Sequence, residues 1–355
     1  MRRDTNTAGG GPRGRCARRT PRLAGRLRDR GLPRRGAAVR IAALRGRETW
    51  QVEEAPVPSI GPDEVLVRVV ASGVCASELE PWLTGPPAGE ARYLGHEVSG
   101  VVAEIGADVT APAVGDRVGV WVTERGFAEY VAVRAAYCFP AGDGPLDEAL
   151  AEPIACSVNA VEAADVRLGD DVVIVGAGFM GNLVHKLAAL RGPRHLIVAD
   201  ARADALERAA RLGATRTVDV TKESLPDVVR SLTGGRGADI TFECTGTQRA
   251  LTVCGDTTRM SGKIAIVGFH QGADRTIPLA YWNWMAFTVV NAHFRDLAVI
   301  MRGMSVGMRL LAGGVLSMDG LVSHRFPLDE IDAAFATLRG KPEGFVKAVV
   351  TFPDV

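Results

Sequence analysis

No run of about 18 apolar residues occurs in the 355-residue chain, which excludes a membrane-spanning helix. Cysteine is sparse and unpaired. The six (Cys16, Cys75, Cys138, Cys156, Cys244 and Cys254) form no C-x-x-C, which excludes a disulfide-stapled secreted scaffold and points to reduced thiols in the cytoplasm. The N-terminus lacks the apolar core of roughly 7–15 residues that a secretory signal needs. Internal repeats are absent. Lysine is rare, with 5 against 37 arginines. Net charge is also nearly absent, at +1, but that average describes neither part of the chain. Residues 1–40 carry thirteen Arg and two Asp, a balance of +11, so the remaining 315 residues carry −10. A mildly acidic body argues against nucleic acid as a partner.

What is present reads as a tail and two domains, in keeping with a length beyond the roughly 250–300 residues of one core. Residues 1–37 are rich in Gly, Pro and Arg and are expected to be disordered and dispensable. From Val39 short β-rich runs follow, at Val65–Val70, Val98–Ile105, Arg117–Trp121 and Glu129–Val133, separated by Gly, Pro and Asp. Past Leu146 the texture changes to alternating strands and helices, the signature of βαβ units and a parallel sheet. Helices are expected over Leu297–Leu311 and Leu328–Leu338, and a closing strand over Val346–Phe352.

Val172–Val175 runs into Gly176-Ala177-Gly178-Phe179-Met180-Gly181 and then an apolar-periodic helix. A strand before and a helix after give this G-x-G-x-x-G its meaning. Gly176 permits the tight turn, Gly178 lets a pyrophosphate approach, and Gly181 allows helix–strand packing. The next strand ends in Asp200, a carboxylate suited to a ribose diol, so NAD is expected rather than NADP; Arg202 could soften that preference. Separately, His96-Glu97 follows Cys75 by 21 positions. Thiolate, imidazole and carboxylate together suit zinc with an open position, although spacing alone leaves a buried Cys and a packed His as the alternative.

The motifs Gly73-Val74-Cys75-Ala76-Ser77-Glu78, Gly95-His96-Glu97-Val98-Ser99-Gly100, Gly115-Asp116-Arg117-Val118 and Ala151-Glu152-Pro153 settle that choice, joined by Gly176–Gly181 with Asp200 and by Val346-Lys347. In this combination the chain from Val39 onward resembles the medium-chain dehydrogenase/reductase superfamily, in its zinc-dependent alcohol and polyol (sorbitol-type) branch. The resemblance implies an α/β protein. A GroES-like β-rich catalytic domain (residues 38–155 and 296–355) would surround an inserted Rossmann domain (residues 156–295) with a doubly wound parallel sheet. It implies Cys75 and His96 as zinc ligands, with Glu97 or Glu152 as the third. Ser77 would start the proton relay, and Glu78 would bond the His96 ring. Lys347 would contact the cofactor pyrophosphate, and Thr245, Val267 and Gly268 would line the ribose and nicotinamide. Phe179 and Met180 belong to the cofactor turn.

Two departures from that pattern matter. The lobe of four closely spaced cysteines that holds a structural zinc in many members is missing after Val118–Phe127, so one catalytic zinc per subunit is expected. Glu80 occupies the place of a relay histidine. Trp121 and His270 are further pocket candidates, whereas His185 reads as packed. The expected activity is hydride transfer between NAD and a secondary alcohol (a polyol, sugar or cyclitol, such as an aminoglycoside or cyclitol biosynthetic intermediate). Threonine-type amino alcohols and simple alcohols are alternatives within the class. A metal-free quinone or enone reductase, or a non-catalytic nucleotide-binding relative, is the alternative from another class. The resemblance further implies a homodimer or homotetramer joined near Phe287–Ala292.

Overall fold

The computed structural model describes residues 38–352, so the expectations for the Arg-rich tail and for Cys16 lie outside the described residues. The first strands, β1 (Ala38–Gly46) and β2 (Thr49–Pro56), form an antiparallel hairpin. β2 was not marked in the sequence, because Gln, Glu and Pro dilute its β-rich residues. β3 (Glu64–Gly73) is a strand of Val and Leu, and a short helix α1 (Leu79–Thr84) comes after it. Then follow β4 (Glu97–Ile105), β5 (Arg117–Trp121), β6 (Tyr130–Arg134) and β7 (Cys138–Pro140).

Helix α2 (Ala151–Ala164) leads into β8 (Asp171–Val175), α3 (Phe179–Ala189), β9 (His195–Asp200), α4 (Ala203–Arg211), β10 (Arg216–Asp219), α5 (Leu225–Leu232) and β11 (Ala238–Glu243). The rest is α6 (Gln248–Thr257), β12 (Thr258–Ile266), α7 (Leu279–Trp284), β13 (Thr288–Asn291), α8 (Leu297–Ala312), β14 (His324–Pro327), α9 (Ile331–Gly340) and β15 (Ala348–Thr351).

Strands β8–β13 make one six-stranded sheet in the order β10-β9-β8-β11-β12-β13, every pair parallel. This is the doubly wound order, with the sheet buried between helices. The other strands form a seven-stranded sheet that runs β14-β15-β3-β4-β5-β7, with β6 beside β3. Its topology draws on both sides of the parallel domain, since β15 pairs antiparallel with β3. Register then lines up Val349, Gly73, Glu97 and Trp121 across four adjacent strands. That row is where the chemistry gathers.

The two domains meet along α2 and α8. Both Gly303 and Gly307, one turn apart, face α2, where a Cβ would crowd Asn159 and Ile154 respectively. Close approach buries Ile154, Val158, Met304 and Met308 between the helices. A second core, in the catalytic domain, centres on Phe335, whose ring lies 5.2 to 5.9 Å from Trp50, Trp82 and Phe127. Each such aromatic pair adds roughly 0.5–1.5 kcal/mol beyond the area it buries.

Candidate active site

Cys75 leaves the end of β3, where the Val74 N–H donates to the Ala348 carbonyl at 3.0 Å and fixes the strand exit. Glu97 opens β4, and His96 immediately precedes it. Their donor atoms and the Cys75 sulfur all lie within 4.8 Å of one another, and this is the one such cluster among the described residues. Glu78 is buried beneath them. Its Oε1 accepts the Gly95 N–H at 2.7 Å and lies 3.0 Å from His96 Nδ1, while Oε2 accepts the Cys75 N–H at 3.2 Å. One acid therefore orients both neighbouring donor residues and leaves Nε2 of His96 available to a metal. Burial opposes charge on the imidazole, yet Glu78 and the Cys75 sulfur outweigh it and raise the ring's basicity well above the ordinary value. Ser77 donates to Cys75 Sγ at 3.2 Å.

Glu97 is almost fully enclosed and faces an ammonium 250 residues away in sequence. Lys347 Nζ hydrogen-bonds Oε1 at 2.7 Å and lies 2.6 Å from Oε2, but Oε2 receives no well-directed hydrogen bond. A buried acceptor normally does not go unused, and here the spare lone pair belongs to the same cluster as the thiol and imidazole. Gly73 makes room for it, because a Cβ at that position would overlap Glu97 Oε2. Soft sulfur, imidazole and an under-used carboxylate fit zinc with an open position.

Lys347 was expected on the pyrophosphate. Its ammonium pairs with Glu97 and lies 4.7 Å from the centre of the Phe179 ring, between the donor cluster and the Gly-rich turn. Glu152, on the first turn of α2, is not among the three converging donors. Burial and the nearby Glu97 raise its carboxyl above the usual range, and its Oε1 accepts from the Cys156 thiol at 3.2 Å. Glu80 lies on the exposed face of α1. Trp121 stands edge-on to Tyr137 at 5.1 Å, opposite Glu97 in the sheet.

The dinucleotide turn is built as its glycines require. Gly176 has φ +104, and a Cβ there would meet Thr245 Cγ2 at 2.6 Å. At Gly181 a Cβ would overlap the Gly176 carbonyl, whereas Gly178 faces open space where a pyrophosphate could approach. Asp200 ends β9, with Oδ2 accepting the Ala177 N–H at 2.7 Å and Oδ1 the Arg202 N–H at 2.9 Å. Arg202 is already committed. Its Nη1 donates to the Phe345 carbonyl at 3.3 Å, and the guanidinium lies 3.8–3.9 Å from Asp204 and Asp200.

Sequence reasoning missed one organising residue. The carboxylate of Glu243, fully buried at the end of β11, accepts both N–H and O–H of Thr245 at 2.7 and 2.6 Å and the N–H of Gly246 at 3.0 Å. It also meets His270 Nε2 at 2.9 Å, while Arg275 Nε donates to His270 Nδ1 at 3.1 Å. Both ring nitrogens of His270 are thus occupied, and it braces the loop after Val267-Gly268. An acid closing an otherwise apolar strand, just before Thr-Gly, was the available signal. From the same loop, Gln271 donates to the Ala76 carbonyl at 3.3 Å, between Cys75 and Ser77. A cavity of about 370 Å³ lies elsewhere, lined by Ile41, Pro56, Glu64, Tyr130 and Tyr137, and holds none of the donor residues.

The chain is similar to known dehydrogenases. The zinc-binding dehydrogenase profile matches residues 180–305, and the alcohol dehydrogenase GroES-like domain matches residues 61–143. An L-threonine 3-dehydrogenase of Ruegeria pomeroyi is 31% identical over 331 residues, covering 84% of this chain and 95% of that protein. The sorbitol dehydrogenase of Gallus gallus is 29% identical over 332 residues, covering 81% and 90%. Among solved structures, a 2R,3R-butanediol dehydrogenase from Bacillus subtilis superposes with a TM-score of 0.77 at 26% identity, covering 88% of this chain and 99% of that one.

Proposed function

Because this chain belongs to the zinc-dependent medium-chain dehydrogenase superfamily, we propose that it oxidises a polar secondary alcohol (a polyol, sugar or cyclitol) to the ketone with NAD, and runs the reverse reduction. The convergence of Cys75, His96 and Glu97, with the Ser77 hydroxyl two residues from the sulfur, carries this reading. Bound zinc would supply a Lewis acid that acidifies the alcohol, and NAD would accept the hydride. Cys75, His96 and Glu97 would hold the metal. Ser77 would turn from the sulfur to accept a hydrogen bond from the substrate's hydroxyl, and would pass its own proton on toward solvent as it receives the substrate's. Glu78 keeps both neighbouring ligands aimed, and Lys347 offsets the charge of Glu97. Gly178 and the start of α3 would take the pyrophosphate, while Asp200 would accept hydrogen bonds from the adenosine ribose. With Arg202 committed to protein partners, no free cation faces a 2′-phosphate from that residue, which favours NAD.

An amino alcohol is the second reading, favoured by the 31% identity with a threonine dehydrogenase. A panel of polyols, cyclitols, amino sugars and L-threonine, with reduction of NAD and NADP followed separately, decides between them. Turnover of a polyol with NAD and about one zinc per chain is expected. Turnover of threonine alone would select the second reading, and activity that persists without metal would overturn both. A second copy of the chain would join along the open β13 edge, where Val289 and Trp284 are exposed; a monomer by light scattering would contradict this.

A further inference from the structure

Two carboxylates compete for the third place at the metal, and the structure separates them by a single contact. Glu97 lies within the donor cluster and Glu152 outside it. Both Glu152 and Cys156 project from α2 at i and i+4, the spacing that puts side chains side by side on one helix face. The thiol of Cys156 donates to Glu152 Oε1 at 3.2 Å. Around them the charge pattern is crowded, since His96, Glu97 and Lys347 all act on Glu152, while Cys75 and Glu97 act on Cys156. Glu152 is half-buried, and the Cys156 thiol is the hydrogen-bond donor that the fold places on its carboxylate.

We propose that Cys156 is a positioning residue: its hydrogen bond to Glu152 holds that carboxylate back from Cys75, His96 and Glu97, and so keeps one coordination position open for the substrate oxygen. The inference rests on the zinc site of the proposed function. Without the thiol, Glu152 loses its partner on α2 and its carboxylate is released to turn to the metal. A fourth protein ligand then closes the position the alcohol needs.

The test compares the parent zinc enzyme with Cys156→Ala and Cys156→Ser. Zinc retention is measured by competition with a chelator, and coordination by the visible spectrum of the cobalt(II)-substituted protein. In Cys156→Ala, zinc should be lost at least tenfold more slowly, the cobalt d–d bands should shift, and kcat should fall at least tenfold with NADH affinity unchanged. In Cys156→Ser, the hydroxyl restores a donor, and all three should return towards the parent. Parent-like zinc retention and spectrum in both variants would overturn the positioning role. So would a weakened thiolate-to-cobalt charge-transfer band in both, because Cys156 would then be a ligand itself. A parent protein that binds no zinc would instead bring down the proposed function, and this inference with it.

Discussion

Two buried carboxylates, one in each domain, show how a structural ion network differs from a site. Asp171, at the start of β8, is fully buried, and every lone pair it offers is used. Oδ1 takes Arg194 Nε at 2.8 Å and His195 Nδ1 at 2.9 Å, while Oδ2 takes Arg194 Nη2 at 2.5 Å and Arg236 Nη2 at 3.0 Å. Burial pushes its carboxyl up, and these donors more than reverse that, holding it below the usual range. Glu97 is as deeply buried, yet it has one cation and an oxygen with no directed donor. A network that is complete rigidifies; one that is short of a partner is waiting for a ligand.

Breaking each in turn sharpens the contrast. Lys347→Met removes the ammonium paired with Glu97 and should cost the metal-free protein roughly 3–5 kcal/mol, the usual penalty for orphaning one member of a buried pair. Added zinc should recover part of that, so the melting temperatures of metal-free and zinc-loaded forms would diverge more in the variant than in the parent. Equal losses in the two forms would place Glu97 in the structural class.

His185 tests whether a missing partner is enough to mark a site. It is buried in α3 with both ring nitrogens unpartnered, and burial, aided by Lys186, lowers its pKa to about 4. It belongs to no group of three or more converging metal-ligand donors among the described residues. The unfolded chain binds the proton more tightly, near pH 6.5, so the stability present above that pH should drain as pH falls towards about 4. The loss should reach at most about 3 kcal/mol. His185→Leu should flatten that acid limb in urea titrations and leave zinc content unchanged; an unaltered limb would refute the assignment.

Asp171→Ala should cost about 2 kcal/mol, discounted because the Arg194 and Arg236 side chains are about half exposed. Its loss should be the same with and without zinc, and a zinc-dependent loss would erase the contrast with Glu97. The smallest effect is expected at Asp200, which stands between the two classes because backbone N–H groups already occupy both oxygens. Asp200→Ala should raise KM for NAD about tenfold, the worth of one hydrogen bond to a charged group, and narrow the preference over NADP; an unchanged ratio would remove it from ribose recognition.

Much of this was legible in the sequence, for reasons that differ by region. The Gly-rich turn could be read locally, since each glycine answers a constraint set by residues within the same motif. Cys75, His96 and Glu97 could not be joined by spacing and needed the family resemblance. Least legible were pairings set by strand register. Lys347 reaches Glu97 only because β15 lies against β3 and β3 against β4, with Gly73 giving way between them. Nothing in the local sequence marks Glu152 and Cys156 as bonded either, as helical i,i+4 pairs are common and mostly solvated. Glu243 stayed hidden because His270, which joins its adjacent partners Thr245 and Gly246, comes from a separate turn.

The Lys347–Glu97 pair also fixes an order of events during synthesis. The two residues are 250 positions apart, and at 5–20 residues per second the ribosome delivers the lysine roughly 10–50 s after the glutamate. Over that interval the six-stranded parallel sheet, which lies wholly between them, can assemble, while Glu97 has no cation of its own. The nascent chain thus passes that interval with a carboxylate, an imidazole and a thiol open to whatever divalent ion is at hand, so metal loading can precede closure of the catalytic sheet.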